Sequence, residues 1–305
     1  MFNNSLFINK TEKLPKADIW CFGSPCTNIS LAGNQKGLKG EQSGLFFEVM
    51  RILNETPEER KPAYLFMENV KNLISINGGR DFAKVLIEMD EAGYDVEWQV
   101  INSSWVIPQN RERIFVVGHK RGRQTRRVFP LTSMEIGSER KYGILKDVLE
   151  PVVDKKYNLS KEKLEQIKYF EKLSLNVRNI NSIGNSSPSG YNKQNIFSEI
   201  GISPTLTAGL TKQPIRIATK INKIFDGRKY GLFGQVNEVL GENASNSLLI
   251  RRLTPRECWR LQGFTDKQFD KVKNAGLSDT QLYKQAGNAV TVPVIKKIAE
   301  KFEVL

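Results

Sequence analysis

Cys26 is the first residue in the chain that could do covalent chemistry. It follows an apolar run, Ile19-Trp20-Cys21-Phe22, which reads as a short buried strand. Gly23 and Pro25 break that strand sharply, one through its freedom of φ and the other through a fixed φ and a missing N–H. The thiol is therefore predicted on a tight turn at a strand's carboxyl end, where open α/β sheets gather their ligands. Glu68 follows a second buried run, Ala63-Tyr64-Leu65-Phe66-Met67. Arg111 and Arg113 are spaced by two on an extended segment, which points both the same way. A thiol, a carboxylic acid and two guanidiniums at one sheet edge suit covalent chemistry on a polar, electron-poor ring. The thiolate adds, the acid protonates or hydrogen-bonds a ring nitrogen, and the arginines stabilise charge. Taken singly, each residue has a plainer reading that is the better one: Cys26 as a small buried hydrophobe, Glu68 as a surface carboxylate, the arginines as partners of Glu112 or other acids.

The elements that would position these residues alternate. Leu45 to Leu53 has helical spacing and is ended by Thr56-Pro57. Phe82 to Ala92 reads as an amphipathic helix closed by Gly93, Tyr94 to Asn102 as an alternating strand, and Ile114 to Gly118 as another strand. This order predicts an α/β fold with a mostly parallel sheet. The polar stretch Thr27 to Gly44, with Gly33, Gly37, Gly40 and Gly44, is long for a connection and reads as a functional loop. From Arg121 onward periodicity weakens, and Asn176 to Asn195 reads as loop. That region is predicted to be a second domain with little regular structure. Regularity returns at Thr254-Pro255-Arg256-Glu257: an N-cap, a first helical residue and a capping-box partner. An apolar-periodic helix over Val292 to Phe302 closes the chain.

Composition narrows the function classes. The chain has 305 residues, with 39% hydrophobic and 26% charged, which are globular values. No apolar run is long enough to span a bilayer, and the first residues lack signal-peptide features, so a soluble cytoplasmic protein is expected. Three cysteines, Cys21, Cys26 and Cys258, form no disulfide framework, and a single histidine, His119, argues against a metal site. The net charge of +13 is uneven: −2 over residues 1–118, +10 over 119–250 and +5 over 251–305. A whole segment at +10 is the footprint of a polyanion partner such as nucleic acid.

Six blocks now carry a resemblance. They are Gly23-Ser24-Pro25-Cys26 with Ser30-Leu31-Ala32-Gly33, then Glu68-Asn69-Val70, then Gln109-Asn110-Arg111-Glu112-Arg113. Thr205-Leu206-Thr207-Ala208, Arg252-Leu253-Thr254-Pro255-Arg256-Glu257 and Gln285-Ala286-Gly287-Asn288-Ala289-Val290 follow. In type and order they are similar to the motifs of DNA (cytosine-5)-methyltransferases of the bacterial and phage restriction-modification type. The resemblance implies a Rossmann-like methyltransferase sheet over residues 1–141 and 276–305, and a smaller target-recognition domain over 142–275. It implies S-adenosylmethionine as cofactor, with Pro25, Leu45, Asn288 and Val290 lining part of its pocket. It implies duplex DNA as substrate, touched by Ser30, Gln35, Thr205 and Leu206. In this scheme Cys26 attacks C6 of a flipped cytosine, Glu68 binds and protonates N3, Arg113 holds the base with Arg111 close by, and Asn69 braces the Cys26 loop. Flipping is needed because C5 and C6 are shielded within the stacked duplex.

Two departures stand out. Family members open with a Phe-x-Gly-x-Gly turn and two acids for the cofactor; before Cys26 this chain offers only a short tail. Two strand–helix units, about 60 residues at roughly 30 each, are expected to be absent. A start at an internal Met, a second polypeptide carrying the missing motifs, or a decayed gene would each account for it. Gln42 also stands where the family usually has Arg. The alternatives to an active enzyme are a DNA-binding fragment or subunit without methylation activity of its own, and an RNA-directed methylase. The long segment between Arg113 and Arg251 argues against the last.

Overall fold

A computed structural model describes residues 15–23, 45–165, 168–169, 182–185, 195–210, 214–220 and 248–303. Pro25, Cys26, Ser30, Gln35 and the glycine-rich stretch up to Gly44 lie outside these residues.

The chain divides into two units. The first comprises Met1–Asn102, Glu112–Thr132 and Lys297–Leu305, and the second Ser103–Arg111 and Ser133–Lys296. These divisions differ from the expected boundaries at 141/142 and 275/276.

In the first unit, β1 (Ile19–Phe22), α1 (Leu45–Glu55), β2 (Tyr64–Val70), α2 (Arg80–Glu91), β3 (Tyr94–Asn102) and β4 (Glu112–Lys120) follow one another as the sequence predicts. The sheet order is β1-β2-β4-β3. Only β1 and β2 pair in parallel; β4 runs antiparallel to both β2 and β3. The mostly parallel expectation is thus corrected. The physical reason is the link from β3 to β4: nine residues cannot hold a crossover helix, so the chain must turn back. β2 and β3 still run the same way, joined across α2, and β4 slots between them.

β2 is buried on both faces, as its unbroken apolar run requires. One face packs on Phe46, Met50 and Leu53 of α1 and Phe82, Val85 and Met89 of α2. Each such side chain contributes about 1.5–3 kcal/mol on burial. The other face stacks Phe66 on Phe115 at 6.1 Å between centroids, with Phe302 edge-on to Phe66 and Tyr64.

The second unit holds a five-stranded sheet in chain order: β5 (Lys168–Tyr169), β6 (Ser182–Asn185), β7 (Asn195–Ser198), β8 (Arg216–Lys220) and β9 (Leu248–Arg252). The region expected to have little regular structure, including part of the Asn176 to Asn195 stretch expected as loop, contains short strands. They are two to five residues long, too short and too polar to print a period-two pattern. Short helices α3 (Ser133–Gly137) and α4 (Lys161–Glu165) precede the sheet. After it come α5 (Pro255–Arg260), α6 (Asp266–Asn274), α7 (Asp279–Asn288) and α8 (Val292–Ala299). α5, α6 and α7 each begin with a reciprocal capping box: Thr254 with Glu257, Thr265 with Gln268, Ser278 with Gln281. Tyr157, Leu206, Ile217, Leu253, Trp259, Phe269, Leu282 and Tyr283 form part of this unit's core.

Candidate active site

Register explains the first constellation. Glu68 and Val70 lie two apart on β2 and share a face. Arg113, at the start of β4, is the partner of Val70 across the ladder. Arg113 is therefore the diagonal neighbour of Glu68 on that face, within reach of a long side chain. Its Nε donates to Glu68 Oε1 at 3.0 Å, with both side chains mostly buried. Its Nη1 donates to the Glu112 carbonyl at 2.8 Å, so one guanidinium is braced against backbone while it holds the carboxyl. The Glu112 carboxylate turns instead to Lys71, at 3.0 and 3.1 Å.

Gly23 closes this constellation from the β1 side. Phe22 pairs with Met67 in the parallel ladder, which brings the next residue against Glu68. A Cβ on Gly23 would lie 3.1 Å from the Glu68 carbonyl and 3.9 Å from its Oε2. The close approach, rather than a need for positive φ, calls for glycine here. Asn69 points away from Glu68 on the alternating strand; it is buried, and its Oδ1 accepts from the Val70 N–H at 2.8 Å.

Arg111 is not in that constellation. It belongs to the second unit, is 3% exposed, and gives its guanidinium to backbone carbonyls. Nη1 donates to Leu206 at 2.9 Å and Nη2 to Ala289 at 2.8 Å. Equal spacing on an extended segment did not give the two arginines one destination.

Gln109, to which residue type and spacing assign no role, completes this second constellation. It is fully buried. Its Nε2 donates to the Leu261 carbonyl at 2.6 Å and its Oε1 accepts from the Leu206 N–H at 2.9 Å. Both backbone groups of Leu206 are thus held by side chains, from residues 109 and 111. Thr205 Oγ1 donates to the Asn110 carbonyl at 2.6 Å, and Asn110 N–H donates to Ser203 at 2.8 Å. Gly287 packs against the same stretch so closely that a Cβ would fall 2.2 Å from the Thr207 carbonyl carbon. The Leu206 side chain is buried in the core, while Thr205 is half-exposed.

Of the expected pocket residues, Leu45 opens α1 and is 51% exposed. Asn288 ends α7 exposed, and Val290 follows it half-buried. Among the described residues no group of three His, Cys, Asp or Glu side chains could hold a metal ion, and no helix is long and apolar enough to cross a membrane.

The sequence profile of the C-5 cytosine-specific DNA methylases matches residues 3–303. The chain belongs to that family. The methylase is 30% identical to the orphan methyltransferase M.SPRI of Bacillus phage SPR, over 94% of this chain and 82% of that protein. It is 32% identical to the type II methyltransferase M.Bsp6I of a Bacillus strain, over 98% and 84%. Its fold is similar to that of the S. pombe Dnmt2 methyltransferase, with a TM-score of 0.60 and 16% identity over 92% of this chain and 77% of that one. In the methylase, three of the motif blocks thus meet at one stretch of backbone: Gln109 and Arg111 hold Leu206, and Gly287 packs against Thr207.

Proposed function

We propose that this chain methylates C5 of a flipped cytosine in duplex DNA, using S-adenosylmethionine and a covalent adduct through Cys26. The observation that carries the reading is the Glu68–Arg113 pair with Gly23 against it. Cys26 is three residues from Gly23, so the chain cannot carry its Cα more than about 11 Å away. A nucleophile tethered there and a braced carboxyl suit one small ring between them.

In this mechanism Cys26 adds as thiolate to C6, and the Glu68 carboxyl holds N3 and delivers a proton to it. The added electron pair makes C5 nucleophilic. Arg113 keeps the carboxyl turned to the ring and stabilises charge that builds on the base. S-adenosylmethionine would supply, when bound, a methyl group on a sulfonium; Leu45 of the first unit and Asn288 and Val290 of the second are each assigned to it. After transfer, loss of the C5 proton and departure of the Cys26 sulfur free the product. Pro25 is assigned to the cofactor, and Ser30, Gln35 and Thr205 to DNA. Leu206, its side chain in the core, serves as the anchor of the Thr205 segment. The basic second unit would grip phosphates and read base edges in the major groove.

The test is transfer of a labelled methyl group to duplex DNA by the full chain. Cys26→Ser should abolish transfer and keep DNA binding; Glu68→Gln should slow transfer about 10²–10⁴-fold. Transfer that persists in Cys26→Ser removes Cys26 from its role. Duplex binding by the parent chain with no transfer and no uptake of S-adenosylmethionine would establish the inactive-subunit alternative instead.

A further inference from the structure

β8 and β9 set Arg216 and Arg252 directly opposite each other in an antiparallel pair. Opposed residues share a face, with Cβ atoms about 4.5–5.5 Å apart, and like charges so placed oppose folding. The adjacent arginine shows how the fold handles such a charge elsewhere. Arg251 faces the other side of β9, where Glu257 accepts from it twice, at 2.8 and 2.7 Å. No carboxylate pairs with Arg216 or Arg252 among the described residues.

Both guanidiniums are also under-used. Arg216 Nη1 and Arg252 Nε are buried with no hydrogen-bond partner among the described residues, on side chains that are themselves only half-buried. Arg252 makes one long bond, 3.5 Å, to the Lys156 carbonyl, and lies 5.1 Å from the centroid of the Tyr157 ring. Lys156 Nζ lies 4.9 Å from the same ring. The nearby acid, Asp279, is taken by three other donors: Lys156 at 3.0 Å, Lys273 at 2.8 Å and the Tyr157 hydroxyl at 2.7 Å. Ile196, Ala218 and Ile250 share the arginines' face and are buried. The charges therefore stand on weakly polarisable ground, where an anion is bound more strongly than in open water. Burial alone pulls the Arg216 guanidinium below its ordinary pKa.

A buried donor without an acceptor is a cost that a native fold rarely leaves standing. Two opposed arginines with idle donors and no acid are explained by a ligand that brings oxygens and negative charge. The geometry points to a phosphate site between Arg216 and Arg252, and the phosphate it takes belongs to the DNA backbone. Guanidiniums suit phosphate because their planar forks match its oxygens two at a time. The inference rests on the reading of this chain as a duplex-binding enzyme, and it gives a role to Arg216, outside the motif blocks, and to Arg252, which opens the Arg252–Glu257 block.

The experiment measures binding of the full chain to a labelled random-sequence duplex over a range of salt. Arg216→Gln and Arg252→Gln should each weaken binding about uniformly across sequences and lower the slope of log affinity against log salt by about one. Without DNA, both variants should melt no lower than the parent, because a repulsion has been removed. Arg252→Lys, which keeps the charge and loses the fork, should retain most of the slope. Slopes unchanged in both glutamine variants would overturn the inference while leaving the enzyme reading intact. A parent chain that binds no duplex would overturn both. If the glutamine variants melt well below the parent, the pair is structural and the inference fails. A parallel thermal-shift arm in inorganic phosphate, matched for ionic strength with chloride, separates the sources: stabilisation lost in the variants with no change in the DNA slope would assign the site to free phosphate and overturn the DNA assignment.

Discussion

Arg113 and Arg111 show how far residue type and spacing reach. Two positions apart on an extended run, they were expected to face one site. Arg113 does meet Glu68, since the ladder sets it diagonally across from that residue. Arg111 precedes β4, and its guanidinium goes to the Leu206 and Ala289 carbonyls instead. Nothing in the spacing separates an arginine that holds an acid from one that holds backbone, because the difference lies in which carbonyls are brought near. Gln109 is the same lesson from the other side: an amide beside two arginines reads as polar surface, yet it is fully buried and makes two bonds. Gln109→Leu leaves the Leu206 N–H and the Leu261 carbonyl unpaired, at about 1–3 kcal/mol for each group, so it should melt well below the parent. Gln109→Glu gives a sharper readout. A neutral carboxyl reproduces both bonds, and burial raises the pKa of that carboxyl above about 4.3. Its contribution is then full below that value and lost as pH rises. Melting temperatures should nearly match the parent's at pH 4.5 and fall away at pH 8; an equal gap at both would overturn this account of the amide.

Among the elements, helices with chemical punctuation were the most legible. Thr254, Pro255 and Glu257 mark the start of a helix, and α5 begins there with both capping bonds in place. The second role of Glu257, neutralising the buried Arg251, was hidden because a partner six residues upstream carries no local signal. The strands of the second unit were hidden for the reason of length given above. α7 offers a test at this scale. Its first residue, Asp279, is raised in pKa by burial but lowered more by bonds from Lys273, Tyr157 and Lys156, and stays below the ordinary carboxylate range. A depressed carboxyl adds stability that is present above its unfolded value of about 3.9 and lost as pH falls through its folded one. Asp279→Asn should therefore cost about 1–2 kcal/mol at pH 7 in denaturant unfolding and progressively less at acid pH. A cost that stays constant down to pH 2 would show that the charge is not what stabilises α7.

On the scale of the whole molecule, the chain passes between the two units at residues 102/103, 111/112, 132/133 and 296/297. The fold class and the succession of strands and helices in the first unit were legible, because long apolar runs separated by amphipathic helices leave few arrangements; the antiparallel pairing of β4 was not. Ser103–Arg111 is a short excursion whose membership in the second unit is decided by its bonds to Ser203, Leu206 and Leu261. A fragment spanning 133–296 would lack Gln109 and Arg111 and leave both backbone groups of Leu206 bare. Expressed alone it should unfold less cooperatively than the full chain by calorimetry; a sharp transition at the parent's temperature would show that the excursion is dispensable. The same geometry constrains how genes of this family can exchange parts. Recombination at a single crossover near residue 132 would deliver a new Leu206 segment while retaining the old Gln109 and Arg111 that must hold it. Inheritance of a working second unit therefore requires two stretches of DNA, separated by the code for β4, to travel together or to have been matched beforehand.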